Sequence, residues 1–215
     1  EASGISEGDK LLTFSKIRAA SQIMANLPYV KGVRIGIKLP DTVNIMIEEE
    51  SVVYAIKSSD GQWWMMDSDG RVVEQANNAK AATATQVLGV TLEAPTVNEK
   101  GVATEMTPSE TNELGELIPV STTGAQRLTA ALQILKALEN NDIVGEAASV
   151  DVTSTEDIIL WYGTRYQVNL GDTSRLDYKV DCMNDAILQM SDYQSGVLDI
   201  SFTIWPNQVG YTPFA

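Results

Sequence analysis

The sequence contains no histidine and only one cysteine, Cys182. The absence of histidine excludes serine–histidine–aspartate and cysteine–histidine nucleophilic mechanisms, and it excludes metal sites built on imidazole. A single cysteine cannot form a disulfide within the chain. We therefore expect neither a metal ion nor another cofactor, although carboxylates alone can still catalyse glycoside hydrolysis.

Basic residues are also few, with 15 against 29 acidic residues and a formal net charge of −14. Residues 1–56 contain 6 basic and 7 acidic residues, whereas residues 57–215 contain 9 and 22. Such a surface gains nothing from counterion release and is repelled by anionic lipid headgroups, so nucleic-acid binding is excluded. No apolar run approaches the roughly 18 residues of a membrane-spanning helix. No signal peptide is visible.

The first 50 residues predict one helix and one hairpin. An amphipathic pattern over residues 10–26 predicts the helix. Its apolar face comprises Leu12, Ile17, Ala20, Ile23, Met24 and Leu27. Strict alternation then predicts strands over Val33–Leu39 and Val43–Ile47, with Pro40-Asp41 between them. This pattern is typical of a β-hairpin with one buried face.

A second unit begins near residue 51, where the charge balance changes. Asp60-Gly61 and Asp69-Gly70 flank an apolar run, and Asp-Gly in that position is a strong hairpin signal. We therefore predict three strands in a meander over about 52–75. Residues 91–120 are polar, contain proline and glycine, and lack a period, so we predict a long surface loop there.

The C-terminal half predicts two helices and four strands. The first helix follows Thr122 or Thr123, and the second covers about 174–191. Leucine spacing predicts a buried stripe on the first helix at Leu128, Leu132, Leu135 and Leu138. The predicted strands are Val150–Val152, Ile158–Tyr162, Tyr166–Leu170 and Val197–Ile204. The last strand has Leu198, Ile200, Phe202 and Ile204 on one face. This organisation indicates the α+β class.

Several short motifs, in a consistent order, resemble those of one family. They are Leu-Pro-Tyr-Val at 27–30, Leu-Pro-Asp-Thr at 39–42, Tyr162–Gly171 ending in Asn-Leu-Gly, Arg-Leu-Asp-Tyr-Lys at 175–179, Gly196–Phe202, and Val-Gly-Tyr-Thr-Pro at 209–213. Together they resemble the POTRA domain and the β-domain of the FtsQ/DivIB bacterial cell-division proteins. Glu48-Glu49-Glu50 departs from the family, which usually has a Glu-Arg pair there.

The resemblance implies a domain organisation and a location. Residues 1–50 would be a POTRA domain whose first strand is missing, with residues 1–5 at the end of a helix. Residues 51–215 would be a mostly antiparallel β-domain with two covering helices and the polar loop near 91–120. The native protein would have a short cytoplasmic tail and one transmembrane helix before this region. This region would then lie on the extracytoplasmic face of the cell membrane.

The resemblance also implies a function without catalysis. Members of this family bind the small coiled-coil protein FtsB/DivIC, which adds a strand at the closing strand of the β-domain, and we expect FtsL-like partners as well. A last strand at a sheet edge can recruit another chain in this way. The expected partner-binding residues are Phe202, Ile204, Trp205, Gly210 and Tyr211.

Alternative functions rest on weaker patterns. Glu48 and Glu50 share a strand face, and a hydrolase of wall polymer could use such carboxylates. Gly4–Gly8 matches a nucleophile-elbow pattern but lacks its histidine, and Asp67–Gly70 resembles the start of a calcium loop without its closing glutamate. Trp63-Trp64 could expose one ring to a ligand. A POTRA-containing chaperone or translocation subunit remains a further alternative.

Overall fold

The computed structural model of the chain describes residues 2–8, 10, 14–49, 53–105, 122–203 and 207–214. The chain divides into two compact units, Glu1–Val52 and Val53–Ala215. The boundary lies two residues beyond the position at which the sequence predicts it. Each unit is described separately below.

The first unit contains one helix and a two-stranded hairpin. Helix α1 covers Lys16–Asn26, strand β1 covers Val30–Lys38 and strand β2 covers Thr42–Glu49. The strands pair antiparallel, with Ile35 opposite Ile45. The predicted hairpin is therefore present, and both of its strands are longer than the alternation indicates.

The predicted helix of the first unit is too long, and its predicted buried face is correct at Ile23 but wrong at Ile17. Helix α1 begins at Lys16 because the Ser15 hydroxyl accepts a hydrogen bond from the Arg18 N–H and caps the helix. Its buried residues are Ala19 and Ile23, one turn apart, whereas Ile17 is 81% exposed. Leu12 lies outside the described residues. The apolar face of the hairpin is half-buried and is exposed at Ile47, because α1 is the one helix among the described residues of this unit that can cover it.

The second unit is built on a nine-stranded sheet. Its strands are β3 Tyr54–Ser58, β4 Trp63–Met66, β5 Val72–Ala76, β6 Gln86–Leu92, β7 Ala147–Asp151, β8 Ile158–Tyr162, β9 Tyr166–Gly171, β10 Gly196–Asp199 and β11 Gly210–Pro213. In space they follow the order β11-β10-β9-β8-β7-β6-β3-β4-β5. The β3–β6, β6–β7 and β9–β10 pairs are parallel and the other five are antiparallel. The sheet is thus mostly antiparallel, as the resemblance implies.

The predicted meander of three strands corresponds to β3, β4 and β5. Gly61 and Gly70 have φ angles of +82° and +83°, which glycine adopts without strain. The buried Asp67 carboxylate accepts hydrogen bonds from the Asp69 and Arg71 N–H groups and forms an ion pair with the Arg71 side chain. These bonds make Asp67–Gly70 a hairpin turn and leave the calcium-loop alternative without support.

Helices pack against the sheet. Helix α2 covers Asn78–Ala81, α3 covers Gly124–Asn140 and α4 covers Leu176–Leu188, and a short 3₁₀ turn covers Val144–Glu146. Thr123 and Gln126 form a reciprocal capping box at the start of α3. The predicted leucine stripe is buried except at Leu132, which is half-buried. Helix α4 is shorter at both ends than the predicted 174–191.

One row of side chains crosses the sheet beneath α3 and α4. The row is defined by the strand register and comprises Ile56, Val87, Val150, Leu160, Val168 and Leu198. Each of these side chains is at most 1% exposed. Tyr54, on the same face as Ile56, donates its hydroxyl to Glu139 of α3 at 2.8 Å. The row is therefore a central part of the core of this unit.

The segment predicted as a long loop over 91–120 is only partly a loop. Residues 91 and 92 belong to β6, and the chain then folds back so that the Thr104 N–H donates to the Thr91 carbonyl at 2.8 Å. Residues 98–101 lie along β5 and donate and accept main-chain hydrogen bonds there. The rest of the predicted loop, beyond residue 105, lies outside the described residues.

A buried lysine joins α4 to the end of β9. Lys179 is 1% exposed, and its ammonium donates to the Leu170 carbonyl and to the carbonyl and carboxylate of Asp172, each at 2.8 Å. A buried charge is tolerated when its donors are satisfied in this way. The hydrogen bond from Lys179 lowers the pKa of Asp172 to about 2.

We predict that Lys179→Met destabilises the second unit by about 2–4 kcal/mol, because two main-chain carbonyls lose their donor in a buried site. Lys136→Met is the matched control. Lys136 also pairs with a carboxylate, Asp69, but both side chains are more than half exposed. Its loss should cost about 0.5 kcal/mol or less. Urea unfolding followed by tryptophan fluorescence measures both variants, since all four tryptophans lie in this unit. Equal losses of stability in the two variants would contradict a stabilising role for the buried hydrogen bonds of Lys179.

Acid should remove the contribution of Asp172. Its folded-state pKa is about 2 and its ordinary pKa is 3.8, so the stabilisation is complete above about pH 4 and is lost as the pH falls towards 2. We predict that Asp172→Asn is less stable than the parent at neutral pH. The difference in urea midpoint should shrink between pH 4 and pH 2. A difference that stays constant over this range would show that the carboxylate charge is not involved.

Candidate functional site at the C-terminal edge of the sheet

The strand predicted over 197–204 ends earlier than the alternation indicates. Strand β10 stops at Asp199, whose carboxylate accepts hydrogen bonds from the Ser201 N–H at 3.0 Å and from the Ser201 hydroxyl at 2.7 Å. This local turn draws the backbone out of the sheet. Phe202 follows with a φ angle of +57°, in the left-handed region that residues other than glycine do not adopt in an extended strand. Apolar side chains alternate with polar ones as predicted as far as Ile200, but the chain is no longer a strand at Phe202.

A further strand, β11, follows and forms the edge of the sheet. Gly210–Pro213 pairs antiparallel with β10, with Tyr211 opposite Leu198. The sequence analysis missed this strand because it has only four residues and one of them is proline. Proline is tolerated in a strand at a sheet edge, so the Tyr-Thr-Pro run was a usable signal. The edge expected at β10 is therefore at β11.

The hydrogen-bond pattern determines which groups of β11 face outwards. The Gly196 N–H donates to the Arg165 carbonyl in β10–β9 pairing, while the Phe214 N–H donates to the Ser195 carbonyl at 3.1 Å. Bonding alternates along an antiparallel pair, so Gly210, Thr212 and Phe214 bond towards β10. The N–H and C=O of Tyr211 and the C=O of Pro213 consequently point away from the sheet. Within the described part of the chain, no strand pairs with them.

The side chain of Tyr211 ends the buried row that crosses the sheet. It lies on the same face as Leu198 and is half-buried. Its hydroxyl donates to the Ser195 carbonyl at 3.1 Å. A ring carbon of Tyr211 lies 2.8 Å from the position a Cβ on Gly196 would take, so only glycine leaves room for the ring. Tyr211 is thus positioned by β10 and also presented at the edge.

Phe202 lies away from the edge. Its ring packs against Tyr178 of α4 at a centroid distance of 5.7 Å. The guanidinium of Arg175 lies 4.3 Å from the Tyr178 ring and 5.9 Å from the Phe202 ring, and it donates to the Asn207 side chain at 3.1 Å. This cluster attaches the β10–β11 connection to the start of α4.

The predicted partner-binding residues are therefore only partly brought together. Tyr211 and Gly210 lie in β11, where Gly210 is opposite Asp199. Phe202 belongs to the cluster at the start of α4. Ile204 and Trp205 lie outside the described residues. Pro213, which the sequence analysis did not include, contributes an outward-facing carbonyl to the same edge.

The opposite edge of the sheet is covered by the chain itself. The Val72 N–H of β5 donates to the Glu99 carbonyl, and the Asn98 N–H donates to the Val72 carbonyl, both at 2.8 Å. Further along β5, Glu74 forms an ion pair with Lys80. Charged side chains and a covering segment are two common ways to protect a strand edge. The two ends of the sheet therefore differ, and β11 presents the open one.

Comparison with known proteins places this geometry in a family. The POTRA domain, FtsQ-type, matches residues 1–50, which cover nearly all of the first unit. The cell division protein DivIB of Clostridium tetani is 24% identical over 205 residues, covering 94% of this chain and 69% of the relative. These matches support the FtsQ/DivIB family for this chain. DivIB of Clostridium acetobutylicum is 29% identical over 92 residues, covering 43% of this chain and 36% of that relative.

The family-model match and the two DivIB relatives confirm the resemblance drawn from the short motifs. It also agrees with the α+β architecture, in which an FtsQ-type POTRA domain is followed by a mostly antiparallel β-domain. At the level of the family, the role of the chain is in cell division. Among its described residues, no helix is both long enough and apolar enough to cross a membrane.

We predict that amide exchange alternates along β11 of this chain. The Thr212 and Phe214 N–H groups bond towards β10 and should be protected, whereas the Tyr211 N–H faces outwards and should exchange at nearly the rate of an unstructured amide. Hydrogen–deuterium exchange followed residue by residue by NMR measures this pattern. Equal protection of Tyr211 and Thr212 would contradict the open edge.

Proposed function

We propose that this chain is a non-enzymatic scaffold of the division machinery. It binds FtsB/DivIC-like and FtsL-like coiled-coil proteins, which supply a strand that pairs with the open edge of β11. Through this contact it supports septum formation. The observation that carries the proposal is the outward-facing N–H and C=O of Tyr211 at the β11 edge of the nine-stranded sheet, with which no other described strand pairs.

Main-chain pairing would supply much of the affinity. A strand added beside β11 receives hydrogen bonds from and donates hydrogen bonds to the outward groups of Tyr211 and Pro213, whatever its own side chains are. This mode of binding tolerates variation in the sequence of the partner. Side chains next to the strand then determine the register.

The buried row predicts the chemistry of the incoming strand. Leu198 and Tyr211 are the last two members of the row, and a partner residue opposite Tyr211 would become the next. That residue should be apolar or aromatic, because it continues the face covered by the helices. Large aromatic side chains are frequent anchors at interfaces, and Tyr211 is the aromatic group that β11 presents there.

The described carboxyl groups give no support to the hydrolase alternative. A carboxylic acid that protonates a glycosidic oxygen needs a raised pKa. The carboxyl groups with a resolved shift are Asp60 and Asp172, and both pKa values are lowered, by hydrogen bonds from Ser58 and from Lys179 respectively. These hydrogen bonds favour the charged form. A binding function thus agrees better with the electrostatics than an acid catalyst does.

The proposal includes a location for the whole protein. By analogy with its family, the native protein would be anchored by one transmembrane helix, with this region on the extracytoplasmic face of the cell membrane. The absence of histidine fits a binding module, since partner capture requires no general base. Turnover of purified peptidoglycan by this chain, abolished by a single carboxylate substitution, would refute the non-enzymatic part.

We predict that Tyr211→Ala weakens binding of the DivIC-like ectodomain at least tenfold, since truncating an interface aromatic commonly costs about 2 kcal/mol or more. Tyr211→Phe should bind nearly as well as the parent, because the Ser195 carbonyl keeps its bond from the Phe214 N–H. Isothermal titration calorimetry with the partner ectodomain measures both. Thermal unfolding of each variant checks that the β-domain remains folded.

Tyr193→Ala provides the matched control for this prediction. Tyr193 is 89% exposed and lies between α4 and β10, outside the edge strand. Its loss should leave the affinity unchanged. If a folded Tyr211→Ala variant binds as tightly as Tyr193→Ala, the partner does not dock at β11.

A further inference from the structure

An open strand edge does not by itself distinguish a partner strand from a second copy of the same chain. The same unpaired N–H and C=O groups that accept a partner strand can pair with the edge of a second copy of the chain. Two copies of β11 would meet around a two-fold axis, in an antiparallel arrangement. The proposed function therefore requires a feature that favours a foreign strand over a second copy.

Proline at the end of β11 removes one donor from this edge. Tyr211 and Pro213, on either side of Thr212, have main-chain groups that face outwards. A residue other than proline at position 213 would supply both an N–H and a C=O to this edge. Proline has no N–H. The outward-facing edge of β11 thus consists of the Tyr211 N–H, the Tyr211 C=O and the Pro213 C=O. This edge offers three hydrogen-bonding groups, whereas the same strand without proline would offer four.

We infer that Pro213 makes the β11 edge selective for a foreign strand over a second copy of this chain. This inference rests on the proposed function, because it concerns the same edge. It assigns Pro213 a role in specificity through the main chain.

Counting hydrogen bonds gives the physical reason. In one antiparallel arrangement, Thr212 of each copy lies opposite Thr212 of the other and Tyr211 lies opposite Pro213, so the two copies overlap over Tyr211–Pro213. The Tyr211 N–H of each copy donates to a Pro213 carbonyl, but neither Tyr211 carbonyl receives a donor. Self-pairing therefore keeps two of four possible bonds and leaves two carbonyls unpaired, whereas a foreign strand without proline keeps three of four. Each carbonyl that is buried without a donor is costly.

A second arrangement of two copies does not remove this preference. If Tyr211 of one copy lies opposite Tyr211 of the other, two bonds form regardless of Pro213. That arrangement overlaps Gly210–Thr212, three residues of each copy, which is the same length as the first. Two bonds are then the most that either arrangement of two copies obtains within β11.

Replacing the proline should release self-association. Pro213→Ala restores one outward N–H per copy, which adds two hydrogen bonds to the self-paired dimer and one to a complex with a foreign strand. Each restored bond should tighten association about two- to tenfold, so the dimer should gain about four- to a hundredfold. Sedimentation velocity over a concentration series measures self-association of the chain, without any partner. Pro213 is exposed, so the substitution should leave the domain folded.

Two further variants control the experiment. Thr212→Ala changes the neighbouring exposed side chain but no outward N–H, and it should sediment like the parent. The double variant Tyr211→Pro with Pro213→Ala moves the missing donor to the other outward position of β11. It returns the self-paired dimer to two bonds, and it should therefore lose the self-association gained by Pro213→Ala.

The outcomes separate this inference from the proposed function. Stronger self-association of Pro213→Ala, reversed in the double variant, supports the inference. A folded Pro213→Ala variant that self-associates no more than Thr212→Ala overturns it, even if the DivIC-like ectodomain binds β11 as proposed. Failure of that ectodomain to bind, together with self-association of Pro213→Ala, would overturn the proposed partner and leave the selective role of Pro213 against a second copy intact.

Discussion

The main-chain groups at the outer edges of a sheet lack a neighbour, and this constraint shapes the β-domain. At one end, residues 98–101 return along β5 and supply the missing hydrogen bonds. At the other end, the chain turns out of the sheet after Asp199, passes the cluster around Arg175 and returns as β11. The return moves the open edge from β10 to β11 without closing it. The proposed partner-binding site is this open edge of β11.

The core of the β-domain and the open edge are one continuous structure. The buried row from Ile56 to Leu198 lies beneath two helices, one of which is joined to β9 by the hydrogen bonds of Lys179. Tyr211 extends that row to the last strand, and its ring fits because Gly196 has no side chain. A partner strand would therefore pack against an edge whose geometry is set by the whole sheet.

Much of this fold could be predicted from local patterns. The hairpin of the POTRA domain, the Asp-Gly meander and the strand at Ile158–Tyr162 each have a strong period or a turn signal, and all are present. Helix α1 was predicted to start too early, because an amphipathic pattern does not reveal that Ser15 caps the helix. The apolar spacing correctly placed Ile23 on the buried face, but it also placed Ile17 there, and the packing against β1 buries Ala19 instead.

The candidate site was less predictable, for two physical reasons. Alternation continues in the sequence through Phe202, but the hydrogen bonds from Ser201 to Asp199 end the strand, and side-chain periodicity carries no information about them. Strand β11 is too short for a period, and its proline argues against a strand unless the edge position is known. The family resemblance located the correct region, and Tyr211 and Gly210 do lie in the edge strand.

Amide exchange at Tyr211 in the presence of the DivIC-like ectodomain tests strand addition at β11 most directly. A strand that pairs with the open edge accepts a hydrogen bond from the Tyr211 N–H, so exchange there should slow markedly when the partner is added. Exchange at Thr212, already bonded towards β10, should change much less. Unchanged exchange at Tyr211 in a saturated complex, with new protection in the hairpin of the POTRA domain or along β5, would contradict strand addition at β11.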